Sequence, residues 1–342
     1  MLDLPALLAE SGPMVPGPLD ASPLVVVDAA APDVDRTLSD GSVADVAPAG
    51  AVVVGLLGDE RPVPGLLDLL DVALAPRGSR ASDLRGVVVS DDVEADLAAL
   101  HATSARSPHA TWALARLLRL TAVLPARDGV VAESATYSSL LAGAEFRRWR
   151  EENPPIQRPS DLDLSRVALR REGDLLEVTL TRSARRNAYD ARMRDALLEA
   201  LEVAALAPEA TVSLRGEGRD FCAGGDLDEF GSAPDPAAAH RLRVVAHPGL
   251  ATDRLRDRVT VHLHGHCIGS GIEIAAFAGD VRAAESTVLG LPELAMGLVP
   301  GAGGTVSLTR RIGRHRVLWW ALSGRRIGVE LALEWGLVDG VD

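Results

Sequence analysis

The stretch "HGHCIGSGIEIAAFAGD", residues 264–280, places one carboxylate in a run that is otherwise apolar. Glu273 follows a turn of small residues and precedes Ile274, Ala275, Ala276 and Phe277, a pattern that predicts a buried helix. Burying an ionised carboxylate without a partner is costly or shifts its pKa. Glu273 is therefore either a cap at a helix start or a functional group.

The composition bounds the class of protein. The 342 residues leave room for one large or two medium domains. A formal net charge of −13 argues against nucleic-acid and anionic-membrane partners, because both need a basic face. The sequence contains no lysine, which excludes Schiff-base chemistry and an internal pyridoxal-phosphate aldimine.

Several features predict a soluble protein of the cytoplasm. The start, "MLDLPALLAE" at 1–10, lacks the basic region of a signal peptide. The longest apolar runs, such as "AVVVGLL" at 51–57, are far shorter than the about 20 residues of a membrane span. Two cysteines are too few for a disulfide framework or a four-cysteine zinc site, and they fit a reducing compartment.

A proline-rich, polar stretch, "EENPPIQRPSDLD" at 151–163, predicts a linker over 154–164. Before it, residues 1–108 read as a small α/β region, with short β-branched runs at 23–29, 51–58 and 85–92 that predict buried strands. The segment "PGLLDLLDVALAP" between the second and third runs has helical spacing. Residues 109–153 predict helices, with one apolar stripe over Leu114, Leu117, Leu118 and Thr121 and another over Tyr137, Leu140, Leu141 and Phe146.

After the linker, residues 165–342 alternate strands and helices with glycines at the strand-to-helix corners. A hairpin is predicted over 167–182, a helix over 188–204, strands over 210–216 and 258–265, and another helix at "GDLDEFG", 225–231. The pattern is α/β, but no G-x-G-x-x-G follows a strand and no P-loop motif occurs, so dinucleotide and P-loop folds are not indicated.

Three short pieces carry the chemistry: "RDFCAGGDLDEF" at 219–230, "HGHCIGSGIE" at 264–273 and "LGLPELAMGLVPGAGGT" at 289–305. Small residues before a helix let backbone approach a ligand and leave N–H groups unpaired. Two such N–H groups on one carbonyl oxygen would form an oxyanion hole. The alternative is that the glycines serve only tight corners.

Glu293 in the third piece gives Glu273 a possible partner. Two glutamates in apolar surroundings, each after a glycine turn, predict a pair that adds water across an activated double bond. One carboxyl takes the proton of water and the other supplies a proton to carbon.

These pieces resemble the crotonase, or enoyl-CoA hydratase/isomerase, superfamily. The resemblance covers about 165–342 and is carried by "RRNAY" at 185–189, "FCAGGDL" at 221–227, V-x-x-x-G-x-x-x-G-x-G-x-E at 261–273, "LPE" at 291–293 and "GLVPGAGGT" at 297–305. It implies a ββα spiral core in the C-terminal half and an acyl-CoA thioester as substrate.

The resemblance also implies site residues. The two oxyanion N–H groups would come from Gly225 and Ser270, a position where the family commonly has glycine. Glu273 and Glu293 match the two hydratase glutamates, and the N–H of Gly301 would help to hold the water. CoA would be bound along Arg186, Asn187, Ala188, Ala223, Gly224 and Asp226.

The family normally continues for some tens of residues past the motif that "EWGLVDGV" resembles, with a helical cap over the pocket. Residues 109–153 resemble that cap in pattern and end in "EFRRW". We expect this helical segment to replace the cap from the other end of the chain, as in a circular permutation. Residues 20–105 would then be a degenerate crotonase-like unit.

The leading interpretation is hydration of a 2-enoyl-CoA to a 3-hydroxyacyl-CoA. Alternatives on the same site are Δ3,Δ2-enoyl-CoA isomerisation, with Glu293 as the base, and other lyase or hydrolase chemistry. A non-catalytic acyl-CoA-binding scaffold is the alternative from another class. Retention of Glu273, interpreted as the acid, favours the hydratase. The resemblance further implies no cofactor beyond the CoA carried by the substrate, and a homo-oligomer, trimer or hexamer.

Three further groups of residues are weaker candidates for a functional role. His262, His264 and His266 alternate on one strand face, where partners within the protein are favoured over a metal. Cys222 and Cys267 are interpreted as small buried residues that could lie close together. Arg182, Arg185 and Arg186 could meet CoA phosphates or form a solvated corner.

Overall fold

The three β-branched runs of the N-terminal region each form a strand of one parallel sheet. The computed structural model of the chain describes residues 2–3, 21–30, 50–156, 161 and 164–342, with only the backbone of 2–3. Its first sheet has five strands hydrogen-bonded in chain order, every neighbouring pair parallel. The strands are β1 (Leu2–Asp3), β2 (Leu24–Asp28), β3 (Val52–Leu56), β4 (Val72–Pro76) and β5 (Val88–Ser90).

The helical spacing of residues 64–76 predicts the wrong structure for the second half of this segment. Only Leu66–Leu69 is a helix, α1. The next residues form β4, in which Leu74 pairs with Leu56 on one side and Val88 on the other. Two neighbouring strands and a buried environment decide this segment, because tertiary pairing overrides local periodicity.

Four helices follow the sheet: α2 (Val93–Arg106), α3 (Pro108–Thr121), α4 (Ala126–Leu141) and α5 (Ala144–Glu152). The predicted stripe of α3 is buried along its length. The second stripe differs from its prediction, because Leu140 and Leu141 are only half-buried where α4 ends. The buried face of α4 instead runs through Val130, Glu133 and Tyr137, and therefore contains a carboxylate.

The second sheet carries the predicted hairpin at its edge. Its strands lie in the order β13-β11-β9-β8-β7-β6, with β6 and β7 antiparallel and the other pairs parallel. Strands β10 and β12 form a separate parallel pair. In chain order these are β6 (Val167–Glu172), β7 (Leu175–Leu180), β8 (Thr211–Gly216), β9 (Val259–Leu263), β10 (His266–Ile268), β11 (Asp280–Ala283), β12 (Val288–Gly290) and β13 (Gly340–Val341).

The helices of this half connect its strands. They are α6 (Ala191–Ala205), α7 (Pro236–Val245), α8 (Pro248–Arg254), α9 (Ser270–Ala275), α10 (Gly304–Ile312), α11 (Arg314–Ser323) and α12 (Val329–Trp335). Short 3₁₀ turns occur at Ser183–Arg185, Arg256–Arg258 and Glu293–Met296. Strands and helices together make an α/β fold.

The helix predicted at 225–231 is wrong, because this segment is a series of turns. The Asp226 carboxylate accepts the N–H of Asp228 at 3.2 Å, and Gly231 has a left-handed φ of 74°. Local side-chain bonds of this kind compete with a helix. The next helix, α7, begins only at Pro236, where the Asp235 side chain caps it.

A buried aspartate joins the first sheet to the helices. Asp71 accepts the N–H of Val53 at 2.9 Å and ion-pairs with Arg116 and Arg119, each at 2.7 Å. Arg314 of α11 donates to the carbonyl of Leu70 at 2.7 Å. One contiguous apolar core includes residues of both sheets, so the two halves of the described chain pack as one body.

The proposed domain boundaries stay predictions. The long helix α2 begins at Val93, ahead of residue 109, where the helical segment is predicted to start. In both sheets the parallel strands follow one another in chain order. Of the predicted linker, residues 157–160 and 162–163 lie outside the described chain, whereas Asp161 ion-pairs with Arg166 and Arg182. Among the described residues, no helix is both long and apolar enough to cross a membrane.

Candidate active site

Glu273 is positioned by a tight turn between β10 and α9. The turn residue Gly269 has a φ of 49° and accepts the N–H of Glu273 at 2.9 Å. A Cβ at Gly269 would lie 2.4 Å from Oε1 of Glu293 and 3.7 Å from Oε1 of Glu273. Both carboxylates therefore approach the same point beside the turn, and glycine is required there for its φ and for space.

Glu293 opens the 3₁₀ turn that follows β12. Its Oε2 is buried and has no hydrogen-bond partner among the described residues. Burial, and next the charge of Glu273, raise the pKa of Glu293 well above its usual value, while the Arg326 guanidinium acts in the opposite direction. The arrangement favours a protonated Glu293 at neutral pH.

Glu273 is bound by backbone rather than by a cation. Its Oε2 accepts the N–H of Ala302 at 2.8 Å and of Gly304 at 2.9 Å, at the start of α10. The side chain is 2% exposed, and burial raises the pKa of Glu273 to about 7 although these N–H groups, and that of Gly301, lower it. Glu273 is thus the carboxyl of the pair that ionises more readily.

A third carboxylate, absent from the sequence prediction, comes from α4. Oε1 of Glu133 accepts the N–H of Gly303 at 2.7 Å, and Oε2 accepts the N–H and hydroxyl of Thr305 at 2.9 and 2.7 Å. Burial and the charge of Glu273 raise the pKa of Glu133 to about 8. Glu273 thus binds the N–H groups of residues 302 and 304, and Glu133 binds those of residues 303 and 305. In the sequence, the signal that could have identified Glu133 was a charged residue on the apolar face of α4.

The residues predicted for the reaction line one cavity of about 290 Å³. Its wall includes Gly225, Ser270, Glu273, Glu293 and Gly301. No acceptor for the N–H of Gly225 or of Ser270 occurs in the described ranges of the chain. Both groups are available to a carbonyl oxygen in the cavity, which is the arrangement an oxyanion hole needs.

Of the six residues predicted to bind CoA, only Asp226 lines this cavity. The other five belong to the backbone frame of the loop that carries Gly225. Tyr189 donates to the carbonyl of Gly224 at 2.8 Å, and Ala223 donates to the carbonyl of Arg186 at 2.9 Å. Asn187 is fully buried and donates to the carbonyls of Glu217 and Asp220, both at 2.9 Å.

Two of the arginines predicted to meet CoA phosphates differ in exposure. Arg182 is buried in ion pairs with Asp161 at 2.8 Å and Asp226 at 2.7 Å, so its guanidinium belongs to the fold and not to a phosphate site. The carbonyl of Ala188 also accepts from Arg182, at 2.9 Å. Arg186, by contrast, is half-exposed and pairs with Asp220 at 2.7 Å.

The prediction that the three histidines share one strand face is wrong, because β9 ends at Leu263 and His266 opens β10 in another sheet. Each histidine nevertheless has a protein partner. His264 contacts the carbonyl of Gly218 at 3.1 Å, His266 contacts Asp220 at 2.7 Å, and His262 contacts Asp342. No cluster of three or more metal-ligating side chains occurs among the residues described.

The two cysteines lie side by side, as anticipated. Cys222 and Cys267 form an isolated parallel backbone bridge, and both are buried free thiols. Burial raises the pKa of the Cys222 thiol to about 11, which argues against a thiolate nucleophile.

Comparison with known proteins identifies the family of the chain. The family model "Enoyl-CoA hydratase/isomerase" matches residues 170–342. YhaR of Bacillus subtilis, a relative named for the same family, is 33% identical over 169 residues, which cover 49% of this chain and 66% of YhaR. The 2,3-dehydroadipyl-CoA hydratase of Escherichia coli is 32% identical over 179 residues, 52% of this chain and 69% of that enzyme.

Solved structures include an enoyl-CoA hydratase from Thermoplasma volcanium, 29% identical, which matches 54% of this chain and 74% of its own with a TM-score of 0.48. The chain belongs to the enoyl-CoA hydratase/isomerase family of the crotonase superfamily. Residues 170–342 are its crotonase-like α/β core. The match spans just under two thirds of the length of YhaR.

Proposed function

We propose that the chain catalyses addition of water to a 2-enoyl-CoA thioester, giving a 3-hydroxyacyl-CoA. The observation that carries this proposal is the pair of buried glutamates, Glu273 and Glu293, beside two free backbone N–H groups in one cavity. An isomerase needs only one of these carboxyls. The E. coli relative, named as a hydratase, supports the same reaction class.

In the proposed reaction, the N–H groups of Gly225 and Ser270 bind the thioester oxygen. The Glu273 carboxylate takes a proton from water while the water oxygen bonds to C3. Negative charge moves to the thioester oxygen as an enolate, where the two N–H groups stabilise it. Glu293 then delivers its proton to C2, and the glutamates exchange protons through a further water to restore the starting state.

This assignment reverses the acid role expected for Glu273. Three N–H groups lower the pKa of Glu273, whereas Oε2 of Glu293 has no donor in the described part of the chain. The N–H of Gly301, expected to hold the water, also acts on the Glu273 carboxylate. Gly301 thus supports the base as well as the water.

We also propose that the helices of 109–153 close one side of the pocket. Three contacts support this. Glu133 binds residues 303 and 305, the Thr121 hydroxyl donates to the carbonyl of Thr305 at 2.8 Å, and the Tyr137 ring lies against Gly301, where a Cβ would come within 2.6 Å of it. Leu141 also lines the cavity.

The test is loss of absorbance at the enoyl-thioester band with crotonyl-CoA. Wild type should turn over, and both Glu293→Gln and Glu273→Gln should lose roughly 100-fold or more of kcat. If Glu273→Gln keeps full activity on a 3-enoyl-CoA while hydration is lost, the site supports isomerisation as well. Tight binding of CoA esters with no turnover at any chain length would favour a binding protein instead.

Other expectations accompany this proposal. The reaction as written needs no cofactor beyond the CoA of the substrate. A cytoplasmic location and a trimeric or hexameric assembly stay predictions, which fractionation and light scattering of the full chain can test.

A further inference from the structure

Three buried side-chain atoms that lack hydrogen-bond partners in the described chain belong to residues of the cavity wall: Ser270 Oγ, Glu293 Oε2 and His247 Nε2. The first two lie at the proposed reaction centre. His247 comes from the junction of α7 and α8, and the proposed reaction does not use it. An unsatisfied polar atom in a dry cavity indicates a ligand group still to be bound.

The hydrogen bond at Nδ1 of His247 determines which ring nitrogen carries the hydrogen. Nδ1 accepts the N–H of Leu250 at 3.1 Å, which caps α8, so Nδ1 carries no hydrogen. The side chain is 7% exposed, and burial lowers the pKa of His247 to about 4, so the ring is neutral. Nε2 therefore carries the hydrogen and offers a donor without an acceptor.

Arg243 lines the same cavity one helical turn earlier. Its guanidinium donates to the hydroxyls of Ser134, at 3.2 Å, and Ser138, and it lies 5.1 Å from the centre of the Tyr137 ring. All of these partners are neutral. The one carboxylate that acts on it electrostatically, Glu133, has both oxygens bound to Gly303 and Thr305.

Three neighbouring charged groups in the wall are already paired, and a fourth, Glu229, accepts the N–H of Ala191 at 2.9 Å. Asp226 pairs with Arg182 at 2.7 Å, Asp190 pairs with Arg166 at 2.9 Å, and Arg194 pairs with Asp195 at 2.7 Å. Arg243 is thus a half-buried cation on the cavity whose hydrogen-bond partners among the described residues, Ser134 and Ser138, are neutral. Arg243 and the Nε2–H of His247 together favour a ligand that carries a negatively charged acceptor oxygen.

We propose that this cavity selects CoA thioesters whose acyl chain ends in a carboxylate, which pairs with Arg243 and accepts a hydrogen bond from Nε2 of His247. The inference rests on the proposed binding of an acyl-CoA and adds the chemical class of its acyl group. A planar guanidinium suits this role because it can bind a carboxylate through two parallel N–H groups.

The first test is binding of two saturated esters of equal acyl length, glutaryl-CoA and valeryl-CoA, to the full-length chain by calorimetry. Neither has a double bond, so the measurement does not depend on turnover. We expect glutaryl-CoA to bind roughly 10- to 100-fold more tightly, the range for a charge-assisted contact. Equal binding, or tighter binding of valeryl-CoA, would overturn the inference.

Variants identify the residues responsible. Arg243→Gln should weaken the binding of glutaryl-CoA roughly 10- to 100-fold more than that of valeryl-CoA and so remove the preference, and Arg243→Lys should retain part of it. His247→Asn keeps an oxygen to cap α8 but removes the Nε2–H, and should reduce the preference by a smaller factor. Arg241→Gln, an exposed position of the same helix, is the control and should change nothing. Equal weakening of both esters by Arg243→Gln would show that Arg243 serves the fold or the glutamates, and would refute the inference.

Turnover separates this inference from the proposed function. The two enoyl esters to compare are 2-pentenoyl-CoA and glutaconyl-CoA. Selective binding of glutaryl-CoA with no hydration of either enoyl ester refutes the hydratase and leaves the selectivity standing. Hydration of both esters with no preference in binding or in kcat/KM refutes the selectivity and leaves the hydratase standing.

Discussion

Replacement of Glu133 by glutamine tests the role of the third carboxylate. Glutamine keeps the shape but has one acceptor oxygen. Turned toward Thr305, that oxygen retains two of the three hydrogen bonds and leaves the amide NH₂ facing the N–H of Gly303. One buried unsatisfied donor costs roughly 1–3 kcal/mol. At pH 5 we therefore expect the free energy of unfolding of the variant to be lower than that of wild type by this amount.

The difference should then shrink as pH rises, because the folded-state pKa of Glu133 is raised from 4.5 to about 8. Between these values the folded protein keeps a proton that the unfolded chain has lost. Wild type therefore loses about 1.4 kcal/mol of stability per pH unit through this group, and the glutamine variant does not. Over the whole window the relative change is on the order of a few kcal/mol, enough to make the variant the more stable protein near pH 8.

The assay is urea unfolding of both proteins between pH 5 and 8.5, together with crotonyl-CoA turnover. Since Glu133 holds residues 303 and 305 beside the Glu273 contacts, we expect kcat to fall about 10- to 100-fold. Glu145→Gln is a matched control, because Glu145 is buried and accepts the N–H groups of His109 and Ala110 at 2.7 and 3.1 Å, outside the cavity wall. It should lose stability but keep its kcat. A stability gap that stays constant from pH 5 to 8 would refute the raised pKa of Glu133.

Two further predictions concern the turn at Gly269 and the ion pairs of Asp71 that connect the two halves of the chain. Gly269→Ala would put Cβ 2.4 Å from Oε1 of Glu293, so crotonyl-CoA hydration should fall about 100-fold, whereas Gly324→Ala, with a similar φ and no atom within 4 Å, should cost stability alone. A Gly269→Ala enzyme with wild-type kcat would contradict the proposed place of Glu293. Asp71→Ala leaves two half-buried arginines without their shared partner and should lower the free energy of unfolding by about 3–5 kcal/mol, against less than about 1 kcal/mol for the exposed Asp83→Ala. Comparable urea midpoints for these two variants would show that the Asp71 network does not hold the halves together.

The C-terminal core was predictable because its signals are local. The hairpin, α6, β8 and β9 form where strand alternation and helical spacing place them, since each depends on neighbours a few residues away. The errors have the opposite cause. Val72–Pro76 became a strand through pairing with β3 and β5, and Asp226 and Gly231 kept 225–231 in turns.

For the site, the order and spacing of motifs were enough to name Gly225, Ser270, Glu273, Glu293 and Gly301, because glycine turns and buried carboxylates are visible in one dimension. That the turns before Glu273 and Glu293 meet depended on the pairing of β10 with β12. That most of the CoA candidates stay in the frame of the loop depended on the contacts of Ala223 with Arg186 and of Gly224 with Tyr189.

Glu133 lies in α4, more than a hundred residues before Arg243 in α7 and His247 at the junction of α7 and α8. The importance of these residues arises only from what they contact or leave unmatched. A carboxylate on an apolar helix face or a histidine before a proline is compatible with many environments when only the sequence is known. Burial and the direction of each hydrogen bond, which the tertiary packing sets, turn them into parts of one cavity.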